Sequence, residues 1–133
     1  MTKDLELKLV AQYPVLFQEY GGSPSKTCMA WGCSHGDGWF DLLVAMCAEI
    51  QEYVDTHPGV QTHFLQVKEK FAGLRVYHHT EGGDSAWEDI EAIINKYYNP
   101  SITTCEVCGQ PGKMVSFSHL VLTRCPAHET SRG

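Results

Sequence analysis

Cys105, Cys108, Cys125 and His128 carry the donor types and spacing of a zinc site, C-x2-C-x16-C-x2-H. Zinc favours a tetrahedral set of thiolate and imidazole donors, and two short pairs bracketing a hairpin deliver that set with little strain. Gly109 follows the first pair, where the chain must turn sharply beneath the metal; Pro111-Gly112 opens a further turn, and Pro126 separates the last two ligands. Three Cys and one His fill all four positions, so the expected zinc ion is structural, with ligand distances of roughly 2.0–2.3 Å and none of the four open to water or substrate. A zinc deaminase would need a glutamate two residues after a ligating histidine, ahead of its cysteine pair. Here the cysteine pair comes first and Glu129 directly follows His128.

The second chemically rich segment runs from Trp31 to Trp39, Trp-Gly-Cys-Ser-His-Gly-Asp-Gly-Trp. Its glycines free the backbone for tight turns and close approach, and His35 and Asp37 are an acid and a base two residues apart. The segment leads into a helix N-terminus, where free amides attract anions. Trp31, His35, Asp37 and Trp39 are therefore candidates for a ligand site, set against the plainer reading of loop, cap and core residues. Proton chemistry needs a third, orienting group that the sequence does not name, so the balance leans away from an enzyme. Cys28, Cys33 and His35 would allow a second metal only if Asp37 or Cys47 completed the set; burial of the thiols as small hydrophobes is favoured. His78 and His79 alternate faces of a strand and do not form a ligand pair.

The elements that position these groups read as an α+β fold, helices packed on a small antiparallel sheet with a C-terminal zinc module. Leu5, Leu9 and Leu16 or Phe17 recur at helical spacing, interrupted at Pro14, and Gly21 to Gly38 reads as a loop. A helix follows from Trp39, with Asp37 as N-cap and Asp41 favourable to its dipole, and stops at His57-Pro58-Gly59. Segments 63–70 and 74–78 form a hairpin turning at Phe71-Ala72-Gly73, with Leu65 and Val67 on one face and Leu74 and Val76 likewise. Ser85-Ala86-Trp87-Glu88 has the form of a capping box, opening a helix that buries Trp87, Ile90, Ile93, Ile94 and Tyr97 and closes at Asn99-Pro100. Lys113–Phe117 and Leu120–Thr123 form a second hairpin between the ligand pairs. Residues 1–104 make an α+β body and residues 105–133 a zinc-knuckle module packed on it.

Charge narrows the partners. Residues 105–133 hold Lys113, Arg124 and Arg132 against Glu106 and Glu129, a net of +1, which leaves −7 of the total −6 for residues 1–104. Generic nucleic-acid binding relies on a basic surface that displaces counterions, and this chain has none. The segment 81–91 places Glu81, Asp84, Glu88, Asp89 and Glu91 together without a Lys or Arg, a solvated helix face or a docking surface for a basic partner. No apolar run approaches the roughly 20 residues of a membrane span, and the charged start is not a secretory signal. Six cysteines without an export signal fit metal binding in a reducing cytoplasm.

Three runs occur together: Trp31 to Leu43, Gln66-Val67-Lys68-Glu69-Lys70-Phe71-Ala72-Gly73-Leu74-Arg75, and the two ligand pairs Cys105-Glu106-Val107-Cys108-Gly109 and Cys125-Pro126-Ala127-His128. As a set they resemble small proteins encoded by tailed phages and bacterial prophages, from about residue 30 onward. Those proteins usually carry a second glycine where Ala72 stands. The C-terminal module separately looks like a treble-clef zinc knuckle, a scaffold used for both protein and nucleic-acid binding. The resemblance implies a phage-borne protein that binds and inhibits a host protein in the bacterial cytoplasm, such as a component of antiviral defence. Two alternatives stand beside it: a small nucleic-acid-associated regulator using Lys113 and Arg124, and an enzyme or ligand binder built on His35 and Asp37.

Overall fold

The computed structural model describes residues 1–129, all side chains but that of Phe117 included. Arg132 and the end of the predicted module therefore lie outside the described residues. Helices α1 (Lys3–Gln12), α2 (Phe40–Thr56), α3 (Ala86–Asn95) and the one-turn α4 (Tyr98–Ser101) accompany strands β1 (Cys33–Ser34), β2 (Gln61–Lys70), β3 (Gly73–Glu81), β4 (Lys113–Phe117) and β5 (Leu120–Arg124). No helix among the described residues is long and apolar enough to cross a membrane.

The core forms where periodic apolar faces meet. Helix α2 buries Leu43, Met46, Cys47 and Ile50, the i, i+3, i+4, i+7 stripe of an amphipathic helix. It meets Phe64 and Val67 of β2, Leu74 and Val76 of β3, and Ile90 and Ile94 of α3. Pro14 does end the first helical pattern, and turns after it carry Leu16 and Phe17 into this core. Phe17 meets Phe64 edge-on with ring centroids 5.1 Å apart, and the Phe64 amide donates to the Leu16 carbonyl at 2.8 Å. Each fully buried side chain of this size contributes roughly 1.5–3 kcal/mol over its exposed state.

The main sheet has the order β1-β2-β3, and it is mixed rather than antiparallel. Inside the stretch read as a loop, Cys33 and Ser34 pair in parallel with Val67 and Lys68 of β2. β2 and β3 pair antiparallel from Gln61↔Glu81 to Lys70↔Gly73, with a register shift between Phe64 and Gln66. That bulge corrects the expected alternation: Thr62, Phe64 and Val67 are buried, and Leu65 is exposed instead of sharing a face with Val67.

The β2–β3 turn consists of Phe71 and Ala72, both at positive φ (51° and 73°), the signature of a type I′ turn built without glycine there. Such backbone costs roughly 1–2 kcal/mol per residue outside glycine. Three contacts offset it: the Ala72 amide donates to Glu69 Oε2 at 2.8 Å, its carbonyl accepts from Thr123 Oγ1 at 2.8 Å, and its methyl is fully buried. Gly73 serves packing rather than the turn, since a Cβ there would lie 2.3 Å from the Tyr98 ring.

The helix after residue 85 departs from expectation. Ser85 makes no side-chain cap; Trp87 is exposed, and Ala86, Ile90 and Ile94 form the buried stripe. Asn99 and Pro100 lie inside α4 rather than closing α3, which ends at Asn95. Asp37 does not cap α2; it begins a 3-10 turn, Asp37–Trp39, and Trp39 holds the cap position.

Candidate metal centre and the loop that carries it

Local turns shape each ligand pair. In the first, the Gly109 amide returns to the Cys105 carbonyl at 2.9 Å, and the Cys105 amide donates to the Gln110 carbonyl at 2.8 Å. Gly109 takes φ +83°, a conformation that costs glycine little. In the second, Pro126 starts the 3-10 turn Pro126–His128, and the His128 amide closes on the Cys125 carbonyl at 2.9 Å. The hairpin β4–β5 joins the pairs in register Lys113↔Arg124 to Phe117↔Leu120.

These turns bring the four candidate ligand atoms within 4.8 Å of one another. Cys108 Sγ lies 3.6 Å from Cys125 Sγ; His128 Nδ1 lies 3.2 Å from Cys125 Sγ and 3.7 Å from Cys105 Sγ. A tetrahedral ion with metal–sulfur bonds of about 2.3 Å separates two thiolates by about 3.8 Å, so the cluster fits such an ion. Burial raises the Cys105 thiol, but backbone amides at Cys125, Cys108 and Val107 prevail and bring it down to about 6. For Cys108 the Gln110 amide acts downward, yet lost hydration and the sulfurs of Cys125 and Cys105 leave the thiol raised. A metal would relieve that opposition by drawing off the protons.

The Trp31–Trp39 loop is bound into this centre. The Gly38 amide donates to the Glu106 carbonyl at 2.7 Å, the Gly36 amide to Glu106 Oε2 at 2.9 Å, and Trp39 Nε1 to the Thr104 carbonyl at 2.9 Å. A Cβ on Gly36 would stand 2.3 Å from the Glu106 carbonyl oxygen. Glu106 also accepts from Arg124 Nη1 at 3.1 Å, both side chains being buried. Arg124 is thus 3% exposed in an internal ion pair, which corrects its assignment to a nucleic-acid surface; Lys113 remains exposed.

His35 and Asp37 do not form an acid–base pair by hydrogen bonding. His35 Nδ1 is 2.8 Å from the Gly36 carbonyl, while Asp37 Oδ1 accepts from the Thr2 amide at 2.6 Å. The His35 ring lies against Trp39 with centroids 5.4 Å apart, and burial pushes its pKa down to about 4. Both residues line a surface cleft of about 550 Å³ with Met1, Glu106 and Arg124. Of the two tryptophans, Trp39 is fully buried and Trp31 is 70% exposed. Cys28, Cys33 and His35 do not gather: among the described residues the single His/Cys/Asp/Glu cluster able to hold a metal is Cys105, Cys108, Cys125 and His128.

Sequence reasoning missed Glu6. Its buried carboxylate accepts from Tyr20 Oη at 2.8 Å and from the Cys33 amide at 2.7 Å, fixing the start of the loop. A Cβ on Gly32 would lie 2.4 Å from that carboxylate, so Trp31-Gly32 was the available signal.

The five acidic residues of 81–91 do not form one free face. Glu81, Asp84 and Glu88 are exposed, with Glu81 Oε2 3.3 Å from His79 Nε2. Asp89 and Glu91 are half-buried, Asp89 Oδ2 accepting from Tyr53 Oη at 2.6 Å and Glu91 Oε1 lying 3.1 Å from His78 Nε2.

No family model matches the chain, and no curated protein and no solved structure matches it either.

Proposed function

We propose that this chain is a non-enzymatic binding protein, phage-encoded and stabilised by one zinc ion in a treble-clef-like module, that attaches to and inhibits a host protein with a basic surface, such as a component of antiviral defence. The observation that carries the binding reading is how the chemically capable groups are used. His35 Nδ1 and Asp37 are engaged by backbone, Glu106 and Arg124 by each other, and all four metal positions by protein donors, while His35 Nε2 is buried and meets no partner among the described residues. Large apolar side chains remain outside instead, with Trp31 70%, Phe71 69% and Trp87 46% exposed. Exposed aromatic residues of this kind are typical anchors of protein interfaces. Zinc is the ion that a Cys3His tetrahedron selects in a reducing compartment. The phage setting and the inhibitory role rest on the resemblance of the motif set.

The test is affinity capture from bacterial host lysate with the tagged, metal-loaded chain, mass spectrometry of the retained proteins, and direct binding with each purified candidate. One host protein bound stoichiometrically and saturably supports the reading. A folded chain that retains nothing above a tag-only control overturns it.

A further inference from the structure

We propose that the free edge of β3, with α3 beside it, is a docking groove for an extended segment of a partner protein that carries a lysine or arginine flanked by apolar residues. This deepens the binding reading above and rests on it.

The edge comes first. β3 lies at the outside of its sheet, and no described strand pairs with it on the side away from β2. The Leu74 amide donates to Ser101 Oγ at 3.0 Å, so it points away from β2. The pleat repeats every second residue, which aims the N–H and C=O of Val76 and His78 at the same open side. An unpaired edge of this kind is a template for strand addition, in which main-chain hydrogen bonds supply affinity and side-chain pockets supply choice.

A groove of about 430 Å³ runs along that edge. Its lining includes the inward-facing Val76 and the outward-facing Tyr77 of β3, so it follows the strand's rim rather than one face of the sheet. Trp87 and Glu91 of α3 form the opposite wall with Ile94. The Trp87 ring stacks on His78 at 5.0 Å and 28°, and His78 is fastened between Glu91 Oε1 and Thr80 Oγ1, the latter at 2.7 Å. The tryptophan is thereby held in place while half its surface stays open, a preorganised anchor of low entropic cost.

Charge selects the occupant. Glu91 lines the groove with Trp87, one turn further along α3; Asp84 and Glu88 are exposed neighbours of Trp87 in the chain, and residues 81–91 contain no cation. An aromatic face bordered by a carboxylate attracts a lysine or arginine head, while the exposed Leu65 and Tyr77 of the lining accept an apolar neighbour. The one cation lining the groove, Arg75, is drawn over the Tyr98 ring at 5.2 Å.

The test selects a yeast-displayed random decapeptide library against the metal-loaded full chain, then titrates the enriched peptides into the 15N-labelled protein. Expected are sequences sharing a Lys or Arg next to apolar residues, with amide shifts centred on residues 74–80 and 86–95. Trp87→Ala should weaken binding at least about tenfold in a chain that stays folded, as its dispersed amide spectrum shows. No enrichment, an acidic consensus, shifts centred elsewhere, or unchanged affinity in Trp87→Ala overturns the groove. A host protein captured equally by wild-type and Trp87→Ala chains also overturns the groove and leaves the binding reading standing. Capture of none overturns that reading, and the library result then decides the groove.

Discussion

Gly38 lies against Cys105 so closely that a Cβ on Gly38 would stand 2.0 Å from the Cys105 carbonyl oxygen and 2.6 Å from the Gly109 amide nitrogen. The glycines before Trp39 are the seat on which the C-x2-C turn rests, backbone on backbone. The Cys/His cluster and the body are one mechanical unit at this point, because the Gly38 amide also donates to the Glu106 carbonyl between the two cysteines.

Gly38→Ala should therefore destabilise the whole chain, by about 3 kcal/mol, since both obstructing groups are backbone and cannot rotate away. Thermal unfolding of the metal-loaded variant checks this. A melting temperature equal to wild type would show that the seat is not tight in solution.

Metal content is the second measurement. The purified chain should carry one zinc ion, and Cys108→Ser should lose most of it along with the ordered amide signals of β4 and β5, since site energy is folding energy in so small a module. Absence of metal with the three ligand thiols freely titratable would refute the site.

Glu6→Ala should cost roughly 2–4 kcal/mol, because it leaves the Tyr20 hydroxyl and the buried Cys33 amide without their acceptor. Denaturant unfolding reads the loss. An effect no larger than that of a surface substitution would mean water replaces the carboxylate.

His35 should remain neutral down to about pH 4, because burial penalises the imidazolium. The unfolded chain takes up its proton near pH 6.5, so below that pH the unfolded state binds more protons and stability falls as pH drops from 6.5 towards 4. The full effect is roughly 3 kcal/mol. NMR titration of the His35 ring provides the check, and a midpoint near 6.5 would contradict its buried placement.

What the sequence determined alone was whatever depends on neighbours a few residues apart. The spacing of Cys105 with Cys108 and of Cys125 with His128, the apolar stripe of α2, and the β4–β5 hairpin between the ligand pairs all follow from local turn, helix and strand geometry. Tertiary structure decided whatever depends on partners distant in the chain. Glu6 reads as a surface charge until Cys33 and Tyr20 meet it; Arg124 reads as a free cation until Glu106 buries it. Leu65 left the core because a bulge reset the β2 alternation, and Trp87 stayed outside because Ala86, Ile90 and Ile94 already supply the buried stripe of α3. Gly36 and Gly38 resemble the flexible part of an active-site loop, and only the approach of Cys105 and Glu106 shows that lack of a side chain, rather than freedom of the backbone, is what the position demands. Local spacing limits which turns a chain can make, but burial and close approach are properties of pairs that the fold brings together.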